Sequence, residues 1–209
     1  VLVAPNAACL SNSQIKTLLD YVKNGGGLVT SFEIGRYDER GWLRKEWPFA
    51  GVLGVEGIEG AMLPRTGEEY LKIKGGHEIV ASFNVGQLVP RPVYALKITG
   101  NHKPSPVVYM NPVGRFYSAL QGESDSPALL ALEYGKGRVT YFPHLIGESY
   151  ARLKIETHER LIVDSIMWTF DEKPIVATDA PSTVSVDIRS QENPSRLLIH
   201  LVNNTGDMQ

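Results

Sequence analysis

Apolar and polar positions run along this chain in three rhythms, and each predicts a different element. Val1–Pro5 is a continuous apolar run halted by the turn signal Pro5-Asn6, which predicts a buried strand. In "SNSQIKTLLDYVKNGGG", Ile15, Leu18, Leu19 and Val22 recur at helical spacing, a stripe suited to facing a sheet. Ser11 is placed to cap this helix, Gln14 to complete a capping box, and Gly25 to end it in a left-handed conformation. "LVTSFEI", Leu28 to Ile34, is β-branched and aromatic and predicts a strand. Strand, helix and strand with short connections make a βαβ unit, whose strands run parallel.

The rhythm then weakens. From Arg36 to about Pro64, Gly41, Gly51, Gly54, Gly57 and Gly60 interrupt a stretch holding Trp42, Trp47 and Phe49. This predicts a long excursion packed by its own aromatics, with a short helix near Trp47–Leu53. "VYALKITG" and "PVVYMNP" read as strands of a turn-rich middle section. "ALLALEYGKGRVTYFP" reads as two strands around Gly135-Lys136-Gly137. A helix is expected from Glu156 to Phe170, with Val163, Ile166, Met167 and Phe170 in helical register. Leu161, Ile162 and Trp168 widen its apolar face, so it is expected to be heavily buried. Lys173-Pro174 ends that region, and residues 175–182 read as a linker. Beyond it the period becomes two: Val184, Val186 and Ile188 alternate with polar residues, "QENPS" turns the chain and "RLLIHLVN" returns.

These elements predict a three-layer α/β domain over residues 1–174 with a mainly parallel sheet. The β-hairpin in 183–209 is marginal alone, so it either packs onto the α/β domain or begins a C-terminal β-domain, and the second is expected.

Composition narrows the function classes. At 209 residues, 43% hydrophobic and 21% charged, the chain has the make-up of an ordinary globular protein. A net charge of -2 offers no electrostatic reason to expect nucleic acid or an anionic membrane as partner. No apolar run reaches the ~18 residues of a membrane span, and no secretion signal opens the chain. The single cysteine, Cys9, excludes an intramolecular disulfide and is compatible with the cytoplasm. The opening "VLVAP" without methionine and the stop just after a strand-like segment read as a fragment of a longer polypeptide.

Three ordered segments carry a family resemblance. "VLVAPNAACLSNSQIKTLLDYVKNGGGLVTSFEIGRYDERG" resembles the second domain of family 42 glycoside hydrolases, the β-galactosidase trimerisation domain. So does "LEYGKGRVTYFPHLIGESYAR" with its following "DSIMWTF" helix, while "RLLIHLVNNTG" looks like the start of the small β-domain after it. The resemblance implies a class I glutamine-amidotransferase-like, flavodoxin-like fold that mediates assembly, as a homotrimer of the parent protein. It also implies a catalytic barrel outside this chain, and first βα elements that lie before Val1.

The candidate chemistry fits that picture. Aligned on amidotransferase-like enzymes, Glu33 stands at the strand exit where a cysteine nucleophile is usual, and Cys9 lies in the preceding loop. A carboxylate cannot perform thiolate acyl transfer. Glycoside hydrolysis normally needs two carboxylates roughly 5–10 Å apart. Asp38, Glu39 and Glu148 are candidates for a second, though nothing in the sequence pairs them with Glu33. The alternative for Glu33 is a loop cluster with Arg36.

His77, His102, His144, His158 and His200 lack the spacing of a metal site. His144 alone lies at a strand end within reach of Glu33, and His200 is expected to be partly buried in a strand. "NGGGL" follows a helix, so it is a cap and not a phosphate cradle. Tyr37, Trp42, Trp47 and Phe49 form either a satellite core or an exposed interface or sugar platform.

The expectation is a non-catalytic assembly domain with no cofactor, no metal and no catalytic residue of its own. Glu33, Arg36, Tyr37, Trp42, Trp47, His144 and Glu148 are its candidate ligand or interface residues. A carbohydrate- or small-ligand-binding module with a pocket at Glu33, Tyr37 and His144 is the alternative, and a self-sufficient hydrolase a more distant one.

Overall fold

The structure is a computed structural model that describes residues 1–62, 69–100, 104–112, 118–170, 176–181 and 183–204. The chain divides into two units, Val1–Asp171 and Glu172–Gln209.

The first unit is built on a mixed sheet of four strands, β1 (Leu2–Ala4), β2 (Gly27–Ser31), β10 (Gly137–Phe142) and β9 (Leu130–Tyr134), in that spatial order. β1 and β10 run parallel to β2 on either side, and β9 pairs antiparallel with β10. Helix α1 (Asn12–Lys23) makes the parallel crossover. Ser11 accepts from the Gln14 amide while the Gln14 side chain accepts from the Ser11 amide, the reciprocal box expected from the sequence. Gly25 leaves the helix at φ +115°.

Every residue of β2 is buried, because each face is covered. On one face Ile15 and Val22 of α1 pack with Leu28, Val139 and Tyr141; on the other lie Val29, Phe142 and α4 (Glu156–Thr169). α4 begins just after α3 (Ile146–Leu153).

The middle of the chain folds as antiparallel β-structure. One sheet orders β5 (Leu88–Pro90), β4 (Tyr70–Ile73), β7 (Val107–Met110) and β8 (Glu123–Pro127). A separate pair joins β3 (Gly57–Met62) to β6 (Ala95–Thr99). Residues of β4, β5 and β7 share a core with Val29 and Phe142, so this sheet is buried against the face that carries α4. The second unit shows one antiparallel hairpin, β11 (Val184–Gln191) with β12 (Arg196–Asn203). Val186 and Ile188 pair with Leu201 and Ile199, giving the hairpin one continuous apolar face. Residues 176–181 carry no regular structure, and Lys173-Pro174 lies outside the described residues.

Several expectations are corrected. β1 is the outermost strand among the described residues, with Leu2 and Val3 exposed where a buried strand was expected. β2 ends at Ser31 and not Ile34. The buried line of α4 is His158, Leu161, Ser165 and Thr169, whereas Val163 and Met167 are exposed. Small and polar residues face the sheet there because α4 lies close to it: a Cβ on Gly27 would strike the Thr169 carbonyl. The short helix near Trp47–Leu53 is α2 (Ala50–Leu53). His200 is exposed on β12.

The tightest junction is where the end of α1 meets the start of β10. A Cβ built on Gly137 would clash with the Gly26 and Val22 carbonyl oxygens, both backbone atoms that cannot swing away. Gly137→Ala is expected to lower the unfolding free energy by about 1–3 kcal/mol. Urea denaturation checks this, and an unchanged midpoint refutes the junction's tightness.

Candidate functional site

The C-terminal ends of β1, β2 and β10 open onto one rim, the edge at which open α/β sheets usually hold ligands. β2 leaves the sheet through a tight turn, Phe32–Gly35. Phe32 adopts φ +55°, a conformation that non-glycine side chains rarely take. Bonds on both sides hold it there. Its amide donates to the Phe142 carbonyl at 2.8 Å, and its carbonyl accepts from the Tyr141 hydroxyl at 2.6 Å. Gly35 follows at φ +60°, where a Cβ would lie 2.7 Å from the Phe49 ring. The strained residue of the strand exit is therefore a phenylalanine, with Glu33 one position beyond it.

Glu33 is fastened into the loop. Its carboxylate accepts from the Tyr37 hydroxyl at 3.2 Å and lies 3.5 Å from the Arg36 Nε. Its amide donates to Asn6 Oδ1 at 3.3 Å, which ties it to the loop after β1. Burial and the Glu33 carboxylate together push the Tyr37 phenol above its ordinary value. This is the Arg36 cluster anticipated as the alternative for Glu33, with Tyr37 as a third member. The Glu33 and Arg36 side chains keep 23% and 25% of their surface, so this carboxylate is reachable but already partnered.

Trp47 is divided from Trp42. The Trp47 indole donates to the Ile34 carbonyl at 2.7 Å and meets Tyr141 edge-on at 5.7 Å, an arrangement that stabilises by about 0.5–1.5 kcal/mol. Phe49 is fully buried. Trp42 projects into solvent, 71% exposed. The aromatic excursion is thus partly a core and partly a surface. Arg36, Arg44, Lys45, Glu46, Glu56 and Trp47 border an open cleft of about 560 Å³ on its flank.

His144 does not join Glu33. It follows β10 on the side of Phe142, and is completely buried at 5.6 Å from that ring and 6.0 Å from Tyr109. Tyr141, whose hydroxyl supports the Glu33 turn, belongs to the opposite core. Strand alternation sends the two neighbours to opposite faces, and it separates His144 from the site. Neither ring nitrogen of His144 meets a hydrogen-bond partner among the described residues. Burial, reinforced by His158, holds its imidazole down to about 3. Near it, Arg91 and Glu69 form a deeply buried ion pair. Arg91 also donates to the Met62 carbonyl at 3.0 Å, and His158 Nε2 lies 2.7 Å from the Pro90 carbonyl. These polar groups were not anticipated, because a lone Arg, Glu or His in sequence carries no sign of its burial.

Glu148 stands apart as well. It sits on α3, where Arg152 donates to it at 3.3 Å. Among the described residues, no group of three or more His, Cys, Asp or Glu side chains is placed to hold a metal ion. Nor is any described helix long and apolar enough to cross a membrane. Among the described residues the rim thus offers a partnered carboxylate, a phenol and the exposed Trp42, with no base placed against a nucleophile.

The buried histidines make stability pH-dependent. Unfolded, His144 titrates near 6.5; folded, it stays neutral to about 3. Between these values the unfolded chain binds the extra proton, so stability falls as pH drops below 6.5. The expected slope is about 1.4 kcal/mol per pH unit for His144 alone. His158, lowered by burial, adds to the upper part of that window. Urea unfolding from pH 7 to pH 4 measures it, and His144→Leu should flatten the slope relative to wild type.

Comparisons with known proteins bear on the whole unit. The β-galactosidase trimerisation domain family matches residues 1–155. Among solved structures, a GH42 β-galactosidase from G. stearothermophilus superposes with a TM-score of 0.68 at 23% identity, covering 98% of this chain and 26% of that one. A β-galactosidase from Rahnella sp. R3 does so at 0.69 and 16% identity, over 97% and 27%. α-L-fucosidase isoenzyme 2 from Paenibacillus thiaminolyticus gives 0.63 at 14% identity, over 96% and 29%. At these identities the likeness is one of fold. The chain spans about a quarter of the length of these structures. Among curated proteins, none matches the sequence.

Proposed function

The chain belongs to the β-galactosidase trimerisation domain family, and from that premise we propose that it is a non-catalytic assembly domain of a longer β-galactosidase-like glycoside hydrolase. The proton donor and nucleophile of that enzyme are carboxylates of a catalytic barrel outside this chain. The observation that carries the reading is the rim of the main sheet. At the strand exit the strained position is held by Phe32, and the adjacent Glu33 is bound by Tyr37 and Arg36. No second carboxylate shares a described contact with Glu33, whereas hydrolysis of a glycoside calls for a facing pair.

The finer features follow from the same reading. The α/β unit is a flavodoxin-like, amidotransferase-like domain of residues 1–174, supported by the parallel run β1-β2-β10 and by helices on both faces of β2. The hairpin of 183–209 begins a β-domain after a linker at 175–182. Its apolar face, with Leu197, Ile199 and Leu201 each more than 60% exposed, is one that a second sheet would cover. The parent is a homotrimer. A cytoplasmic location goes with this reading, since a chain whose one cysteine is Cys9 has no internal disulfide for a reducing compartment to break.

A second reading keeps the rim as a carbohydrate site. The cleft beside Arg36 and Trp47 favours it, with Glu33 reached through its ion pair to Arg36, but without His144. Sugar binding weakened by Glu33→Ala would favour that reading over simple assembly.

The assembly reading is tested by light scattering on the isolated chain over a wide concentration range. A stable mass of three chains is expected, with no turnover of aryl β-galactosides. A monomer at every concentration overturns self-association by this chain. Turnover abolished by Glu33→Gln in a folded protein overturns its non-catalytic character.

A further inference from the structure

One short segment, Pro143–Leu145, fastens the middle section to the main sheet from two strands. The Pro143 carbonyl accepts from the Leu96 amide at 2.6 Å and from the Tyr109 hydroxyl at 3.3 Å. The Leu145 amide donates to the Tyr94 carbonyl at 3.0 Å, and His144 forms an antiparallel bridge with Ala95 between these bonds. β6 and β7 are thus held where the chain leaves β10. Beside them His158 of α4 lies 2.7 Å from the Pro90 carbonyl at the end of β5. Another tie, from the Ser105 hydroxyl to the Leu129 carbonyl, involves no titratable group.

The segment has a histidine at its centre, and everything around that ring opposes a positive charge. His144 is completely buried against Tyr109 and Phe142, and neither ring nitrogen has a hydrogen-bond partner among the described residues. The groups facing it from the neighbouring elements are His158 on α4, Arg91 after β5 and Tyr109 on β7. Tyr109 is neutral because burial raises its phenol. The buried carboxylate of the junction, Glu69, is already paired with Arg91. On α3, Glu148 pairs with Arg152 at the surface. A proton on His144 would therefore sit desolvated beside Arg91 and His158 with no free acid to meet it.

The two faces of the main sheet differ in this respect. Among the described residues, Glu69, His144 and His158 are the buried carboxylate and imidazoles, and all three belong to the middle-section junction. The core under α1 contains no buried histidine or carboxylate. α4 packs directly on β2 and β10, so β2 keeps a cover on that face without the middle section.

We propose that Pro143–Leu145 is an acid-released latch: a proton taken up by His144 frees the middle section, β4 to β7, from the main sheet while the βαβ unit under α1 keeps its fold. Opening is local because the charge is created at one junction and strains one core. Once open, His144 titrates as an ordinary imidazole near 6.5, whereas closed it stays neutral to about 3. Between these values each unit of falling pH favours the open form about tenfold.

Amide NMR spectra of the full chain from pH 7 to pH 4 test this by giving an acid midpoint for each element. Signals of β4, β5, β6 and β7 should be lost at a pH at least about one unit above those of α1 and β2, a departure from two-state behaviour. His144→Leu, which cannot take up the proton, should bring the two midpoints together. His144→Gln serves the same end if the leucine variant does not fold. Coincident midpoints in the wild-type chain overturn the latch, because acid then unfolds the unit as a whole. A split that persists in a folded His144 variant also overturns it, since the proton then acts elsewhere. Full retention of the middle-section signals at pH 4 overturns it as well.

Discussion

The parallel pairing of β2 with β10 commits two strands far apart in sequence to lie side by side with both faces out of water, and the rest of the α/β unit follows from keeping them dry. A strand covered on both faces needs a helix or sheet on each side. α1 supplies one cover through Ile15 and Val22; α4 and the antiparallel middle section supply the other. The junction tolerates little bulk. Gly27 lies against the Thr169 carbonyl and Gly137 against the end of α1, so glycine at those positions sets how closely the helices approach. Close approach also explains why α4 presents Ser165 and Thr169 to the sheet and turns Val163 and Met167 outward.

The same pairing aligns the strand exits on one rim. Here Phe32 carries the positive φ, anchored by Phe142 and Tyr141, and Glu33 is engaged by its own loop. The turn launches the loop whose brace of Asp38 and Arg44 contacts holds Trp42 in solvent. Rigid loops on a rigid sheet edge serve recognition as readily as catalysis.

The polar core shows the cost of burying the middle section. Arg91 and Glu69 satisfy each other, whereas His144 must remain neutral to be accommodated beside Tyr109 and Phe142. Burying a neutral imidazole is tolerable at neutral pH and increasingly unfavourable as acid protonates the unfolded chain. The core is therefore specified partly by groups whose charge state is part of the packing.

Much of the framework was legible because it is local. The capping box at Ser11, the stripe from Ile15 to Val22, the βαβ unit and the two hairpins all follow from contacts within a few residues or from strict periodicity, and the structure contains each. The three segments carrying the family resemblance lie within or beside these elements. What sequence could not decide was which face of an element meets which neighbour. α4 has a wide apolar face in sequence but turns Val163 and Met167 outward. Trp42 and Trp47 look alike in sequence, yet one reaches a carbonyl and a tyrosine ring while the other reaches solvent. His144 lies two residues past Phe142 and so shares its face, away from Glu33, once pairing with β2 has oriented the strand. Periodicity along a chain states that a face exists; only the long-range partners that pack against it determine whether that face is core, site or surface.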